Sequence, residues 1–444
     1  MNEILVNVMM KLIDHMAIDL VSVKHSKRVT RGLVWPVVLI IICVVSSSLV
    51  SYGQKTGNRR RVAPQPTNQP SEQKTASDQD FDTLAGQATA ARESDKVQES
   101  IGLYKKALTL KPRWAEGWWF LGTLYYDINN FAEAAPAFDQ AAQIQGKAGA
   151  PWVMLGLCEF QLLHYDDSYT HIHQGRDLGI GDNPELERVM RYHEGLLYLV
   201  KGDFERAQQK LGTLSYQGLS TEELIVGLGL SVLRMGMLPK QVDINYRDHE
   251  VVRRAGLAEH FNAQQNVSDA MREYELLAKD FPKFPNVQYA YGRFLLSRRD
   301  NDGAVTAFQQ EIQNSPKHAL ARMQIAYIKL LNKEPSEGLA FAEDAVKLHP
   351  MLPLGHYILG RLLFDSGQNA RAIQELELAG ELRPDEPKVY FALARAYAKA
   401  NRKEDAAKAR EMFTRLNQKA DEAESRGDVR GDALPNDTPT PEKP

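Results

Sequence analysis

Four prolines, Pro282, Pro316, Pro350 and Pro384, follow one another at intervals of 34 residues, and a fixed period of that length constrains the fold more than any local motif. With each proline set as position 32 of the period, position 8 is Ala258, Gly292, Ala326 and Gly360, and position 20 is Ala270, Ala304, Gly338 and Ala372. One further period puts Ala394 and Ala406 in the same two slots. An open surface would tolerate bulk there, so the regular smallness means that another element approaches closely. A length of 444 residues would ordinarily suggest roughly two to four domains. Here it counts copies of one unit.

The same register extends upstream. Pro112 at position 32 places Ala88, Ser100, Tyr104 and Ala107 at positions 8, 20, 24 and 27. The next period supplies Trp118, Leu121, Gly122, Tyr125, Ala134, Phe138 and Ala141 at positions 4, 7, 8, 11, 20, 24 and 27. Trp152, Leu155, Gly156, Ser168 and Gly175 repeat much of it, and Gly195, Tyr198, Ala207, Leu211 and Leu214 do so after a short insertion. In this order and spacing of Trp, Leu-Gly, Tyr, Ala, Phe, Ala and Pro, the chain resembles the tetratricopeptide repeat family, with nine registered copies. The resemblance implies an all-α fold, a right-handed α-solenoid of helix-turn-helix repeats.

The pattern has its own physical logic. Positions 4, 7, 8 and 11 share one face of a first helix, and 20, 24 and 27 one face of a second. Small residues at 8 and 20 let the pair approach closely, and the aromatic at 24 fills the remaining gap. Asp127–Asn130, Lys201–Asp203, Arg299–Gly303 and Asp365–Gln368 carry the Asn, Asp and Gly that turns between helices need, and the proline at position 32 ends each second helix. One pair buries too little apolar area alone, so neighbours must stack. A block of about four repeats over 80–218 and a block of five over 251–418 are expected. Between them, 219–250 has one convincing helix, with Leu228 and Gly229 in slots 7 and 8, followed by PKQVDINYRDH, which lacks a second. A degenerate repeat acting as a mobile break or hinge is expected there.

The ends differ. Leu33 to Val45 are thirteen uncharged, almost wholly apolar residues, preceded by Lys24, Lys27, Arg28 and Arg31 and followed by Ser46, Ser47 and Ser48. Segment 33–53, after a basic segment 1–32, reads as a signal sequence with Ser51 and Gly53 at −3 and −1 of a cut before Gln54. Extended through Val50, the run reaches eighteen residues and reads instead as a single transmembrane helix. Membrane association through 33–50 unless cleaved, and a place in the cell envelope, are expected on either reading. A cytoplasm-facing anchor is the third arrangement, since four basic residues flank the run on each side. Met16 offers a second start with a basic region of more ordinary length. Residues 54–79 and 419–444, rich in Pro, Gln, Ser and Thr or in charge, read as a disordered linker and tail.

Chemistry is sparse. The net charge of −3 holds no basic excess, which argues against nucleic acid as a partner. Two cysteines, Cys43 and Cys158, make neither a disulfide framework nor a thiolate zinc site. His164, Asp166, Asp167, His171 and His173 crowd one stretch, but the register puts His164 in a turn, the aspartates at a helix start as a cap, and the last two histidines on different, exposed faces. No phosphate-cradling loop or nucleophile elbow occurs, and no stretch left over is long enough for a catalytic domain. The protein is therefore expected to be no enzyme, with no cofactor, no metal and no small-molecule substrate.

In the family, the inner groove is lined by first helices, chiefly at positions 2, 5, 9, 12 and 13, and the resemblance implies that ligands bind there. Those slots hold Trp119, Thr123 and Tyr126; Val153 and Phe160; Tyr192; Tyr289 and Arg293; Met323 and Tyr327; Tyr357, Arg361 and Phe364; and Phe391, Arg395 and Lys399. An arginine and aromatic stripe suits an extended acidic or aromatic peptide. Alternatively, the position-5 aromatics pack between repeats and the arginines pair with neighbouring carboxylates. The family's clamp for chaperone C-termini needs Lys at position 5 and Asn at 9, and no repeat here has both. The expected function is a non-enzymatic scaffold or adaptor that binds protein or peptide partners, or else an auxiliary subunit of an envelope enzyme or assembly machine for secretion, outer-membrane assembly or polysaccharide export.

Overall fold

A computed structural model describes residues 76–425. Among them every regular element is helical, and the helices follow the register. They are α1 (Ala76–Glu93), α2 (Val97–Leu110), α3 (Ala115–Asp127), α4 (Phe131–Gln145), α5 (Gly149–Gln161), α6 (Tyr165–Leu178), α7 (Pro184–Lys201), α8 (Phe204–Tyr216), α9 (Glu222–Val232) and α10 (His249–Ala263). There follow α11 (Val267–Asp280), α12 (Val287–Ser297), α13 (Asn301–Asn314), α14 (Ala319–Leu331), α15 (Pro335–Leu348), α16 (Pro353–Asp365), α17 (Asn369–Leu382), α18 (Pro387–Lys399) and α19 (Lys403–Ser425). The expected basic segment 1–32 and apolar segment 33–53 lie outside the described residues, and no described helix is long and apolar enough to cross a membrane. The first helix begins inside the stretch assigned to the linker, and the last runs past residue 418 into the stretch assigned to the tail.

Positions 8 and 24 meet as the period requires, but the side chain at 24 is aromatic in only one of the four pairs that follow, since an aliphatic one of similar bulk fills the gap as well. A Cβ added to Gly156, Gly195, Gly292 or Gly360 would lie 2.6–2.7 Å from Ile172, Leu211, Phe308 or Leu376, the position-24 residue of the same repeat. At position 20, Ala207, Ala270, Ala304 and Ala372 are fully buried. The turns also behave as expected: Asn129, Gly202, Arg299 and Gly367 take positive φ between the helices. Asp203 and Asp300 then accept from the Arg206 and Gly303 backbone N–H to cap α8 and α13. Each second helix stops just before its proline: α11 at Asp280, α13 at Asn314, α15 at Leu348 and α17 at Leu382.

The contacts divide the chain into two compact units, Met1–Asn130 and Phe131–Pro444. The segment 219–250 lies inside the second of them. It does lack a second helix, having only a short 3₁₀ turn at Pro239–Gln241 after α9. The reason it holds together is direct contact between two first helices. A Cβ on Gly229 would lie 1.9 Å from the Val252 carbonyl oxygen, and one on Gly256 would lie 1.8 Å from that of Ile225, so α9 and α10 touch backbone to backbone. The connecting strap is packed too: Leu238 and Val242 are buried, and Asn286 Nδ2 donates to the Leu233 carbonyl at 2.9 Å.

These contacts set an order of sensitivity. Gly256→Ala forces a Cβ onto a helix backbone, whereas Gly360→Ala meets a leucine side chain that can rotate. Both should destabilise, by about 1–3 kcal/mol or more, with Gly256→Ala the worse. Denaturant melts with unchanged midpoints in both variants would contradict this packing.

Candidate protein-interaction surface

The first-helix face is less open than its sequence suggests. Tyr126, Phe160, Tyr192, Tyr289, Tyr327 and Tyr357 are buried, as are Thr123, Val153 and Met323, and Trp119 is half-buried. Phe160 sets its ring edge-on to His193 at 4.9 Å, and Tyr289 lies between Phe308 and His318 at 5.8 and 4.9 Å. These rings pack within and between repeats, because a large apolar area gains more from a neighbouring helix than from water.

The open part of the stripe is confined to the last two repeats. Arg361 Nη1 donates to the Tyr357 hydroxyl at 2.9 Å. Arg395 is exposed, with its guanidinium 5.1 Å above the Phe364 ring. Phe391 is 45% exposed despite leaning on Phe413, and Lys399 is exposed. Among the described residues no carboxylate pairs with Arg395 or Lys399, so two exposed cations stand on α18, one of them over the Phe364 ring.

Arg293 belongs to a different place. With no second helix after α9, α10 reaches back to α8, where His260 Nδ1 meets the Ser215 hydroxyl at 2.9 Å. Arg293 on α12 joins them by donating from Nη1 to Gln208 Oε1 at 3.3 Å. The result is a cleft of about 420 Å³ lined by Glu205, Gln208, Thr213, Tyr216, Glu259 and Arg293. A second, smaller chamber of about 100 Å³ shares Gln208, Glu259 and Arg293 with it and is also lined by Asn262, Tyr274 and Ser297. Burial opposes the Arg293 charge, but Tyr289, Glu205, Glu259 and Tyr274 around it hold its pKa above the ordinary value. Burial likewise opposes ionisation of Glu205, yet Arg234, which forms an ion pair with it, and Arg293 keep its pKa low. Glu205, Gln208 and Glu259 escaped the sequence reading. Glu259 could have been found, since it fills position 9, the slot that holds arginine in later repeats.

A family model described as tetratricopeptide repeat matches residues 86–151, 256–319 and 357–412, in the register of the helix pairs above. The chain is a tetratricopeptide repeat protein. A curated relative, the BBSome complex member BBS4 of Bos taurus, is 20% identical to this repeat protein over 339 residues, or 74% of this chain and 64% of the relative. The chain thus spans less than two thirds of that relative's length. Among solved structures, MamA from Desulfovibrio magneticus RS-1 is 23% identical over 40% of this chain and 98% of its own, with a TM-score of 0.34. The APC/C hetero-tetramer Cut9-Hcn1 is 13% identical over 76% of this chain and 87% of its own, with a TM-score of 0.35.

In this repeat protein His171 and His173 serve the packing. His171 Nδ1 lies 2.8 Å from Glu159 Oε2, with its ring stacked on Trp152, while His173 Nε2 meets the Tyr198 hydroxyl at 3.1 Å. They diverge as expected but are half-buried rather than exposed, because the neighbouring repeats cover them. No group of three potential ligands gathers among the described residues. The N-cap of α6 is His164, without a side-chain bond, and Asp166 and Asp167 sit in the first turn, where Asp166 accepts from Lys201 Nζ at 2.6 Å. The expected aspartate cap is therefore a first-turn pair favoured by the helix dipole. Elsewhere, burial holds the His193 imidazole down at about 4.

His356 has the opposite setting. Its Nδ1 lies 2.7 Å from Glu375 Oε2 and its Nε2 2.8 Å from the Pro350 carbonyl oxygen. A carboxylate and a carbonyl only accept, so both contacts are satisfied by the imidazolium alone. The bond to Glu375 raises the His356 pKa above its usual value, outweighing burial. The stabilisation is thus complete below the unfolded pKa of about 6.5 and fades as pH rises through the higher folded value. His356→Gln should lower the melting temperature more at about pH 5.5 than at about pH 8.5, relative to wild type at each pH. Equal drops at both would rule out the imidazolium.

Proposed function

We propose that this tetratricopeptide repeat protein is a non-enzymatic scaffold of the cell envelope that holds protein or peptide partners along its first-helix face. Exported through its apolar segment 33–53, it is either cleaved or tethered there. The observation that carries the reading is the open end of the stripe, where Arg395 and Lys399 are exposed without carboxylate partners, Arg395 lies over Phe364, and Phe391 is exposed on the same helix. Guanidinium pairing and ring stacking there favour a segment bearing carboxylates and aromatic side chains. The name of the bovine relative, a complex member, supports a second form of the same reading, in which the chain is a stoichiometric subunit of an envelope enzyme or assembly machine. Co-purification from envelope extracts with mass spectrometry separates the two forms by stoichiometry.

The test is charge reversal at the open end. Arg361→Glu with Arg395→Glu should reduce recovery of envelope partners by about tenfold, the loss of roughly 1.4 kcal/mol of binding, in protein that still melts cooperatively. Unaltered recovery rejects the stripe as the binding surface.

A further inference from the structure

The cleft between α8, α10 and α12 has a charge arrangement that selects its occupant. Arg293 carries five N–H donors in a planar fork, and among the described residues only the 3.3 Å bond from Nη1 to Gln208 uses one. Arg293 lines both chambers of the cleft. Glu259, also lining both, is buried and accepts from the Tyr274 hydroxyl at 2.7 Å and from Asn262 Nδ2 at 3.2 and 3.3 Å. Oε1 has only the 3.3 Å contact, and no cation lies within 4.0 Å of the carboxylate. Glu205, the other carboxylate in the lining, is already paired with Arg234.

An occupant of the inner chamber therefore meets one cation with spare donors and one anion with spare acceptors. A carboxylate satisfies Arg293 and is repelled by Glu259. An ammonium does the reverse. An apolar side chain displaces water from both and pairs neither, which is the costliest outcome for buried charges. A carboxamide offers a carbonyl oxygen to one and an NH₂ to the other, and being neutral it gives up less hydration on entry than a carboxylate or an ammonium. The inner chamber of about 100 Å³ has room for the end of one side chain, since a single water needs only about 10–15 Å³. The outer chamber is larger than one side chain requires, and Tyr216 at its rim is 65% exposed, which leaves space for the flanking residues of a peptide.

We propose that this cleft reads an asparagine or glutamine side chain in an extended partner segment, with the carboxamide oxygen on Arg293 and its NH₂ on Glu259. The inference rests on the reading of the first-helix face as a partner-binding surface, but it concerns a site built from residues other than those of the open stripe.

The experiment uses the full-length protein and four pools of fluorescein-labelled hexapeptides, capped at both ends, randomised except for a third residue of Gln, Glu, Lys or Leu. In fluorescence polarisation the Gln pool should bind about tenfold tighter than the others, as expected for two well-formed hydrogen bonds. Arg293→Met should bring the Gln pool to the level of the Leu pool. Glu259→Gln retains an acceptor for Tyr274 and adds an NH₂ facing the chamber, so it should shift the preference from the Gln pool to the Glu pool. A purely structural role for Glu259 would not change that ranking. Equal binding of all four pools overturns the carboxamide site while leaving the scaffold reading to its own charge-reversal test. Absence of binding by every pool, an unchanged ranking in folded Glu259→Gln, or binding of free glycine zwitterion in place of any peptide would also overturn it.

Discussion

Most repeats of the described chain depend on one steric match: a missing or minimal side chain at position 8 of a first helix receiving a bulky one at position 24 of the second. Gly360 against Leu376 and Gly292 against Phe308 are examples, with less room than an added Cβ would need. Dispersion and apolar burial fall off steeply with separation, so this fit governs how much each pair gains from folding. It also sets the angle and distance at which the next pair can stack. The period in the sequence is thus the period of a packing requirement.

The exception at α9 follows from the same requirement. Once a repeat lacks its second helix, its first helix must bury an apolar face against something else. Gly229 and Gly256 make α10 available by bringing two backbones into contact, and the strap through Leu238 and Val242 covers what remains. The consequence reaches further than stability. Only in this rearranged neighbourhood do α8, α10 and α12 converge, and the cleft containing Arg293 and Glu259 exists because of it.

Burial sorted the stripe of groove positions more harshly than periodicity alone suggested. Tyr289 and Tyr357 occupy the slots expected of ligand-facing rings yet are buried, because an aromatic at position 5 also reaches the adjacent repeat. Arg395 and Lys399 remain outside, at the end of the stack where only α19 follows. Arg361 is intermediate, with its guanidinium held by the Tyr357 hydroxyl. The histidines of α6 diverged as their spacing required, but their covering by neighbouring repeats was a matter of stacking and not of helical geometry.

Helix, turn and helix, the small and bulky slots, the capping aspartates at 203 and 300 and the missing helix after Val232 are all written in residues less than one period apart. Such features are legible from the chain because they depend on local backbone preference and on a fixed angular repeat. Which members of a face meet solvent, and which charges meet one another, depends instead on contacts between distant segments. Arg293 and Gln208 are 85 residues apart, and nothing in the local pattern of either points to the other. Their meeting was decided by how the helices stack around the lone α9, so the repeat could be read from the sequence while the cleft required the tertiary structure.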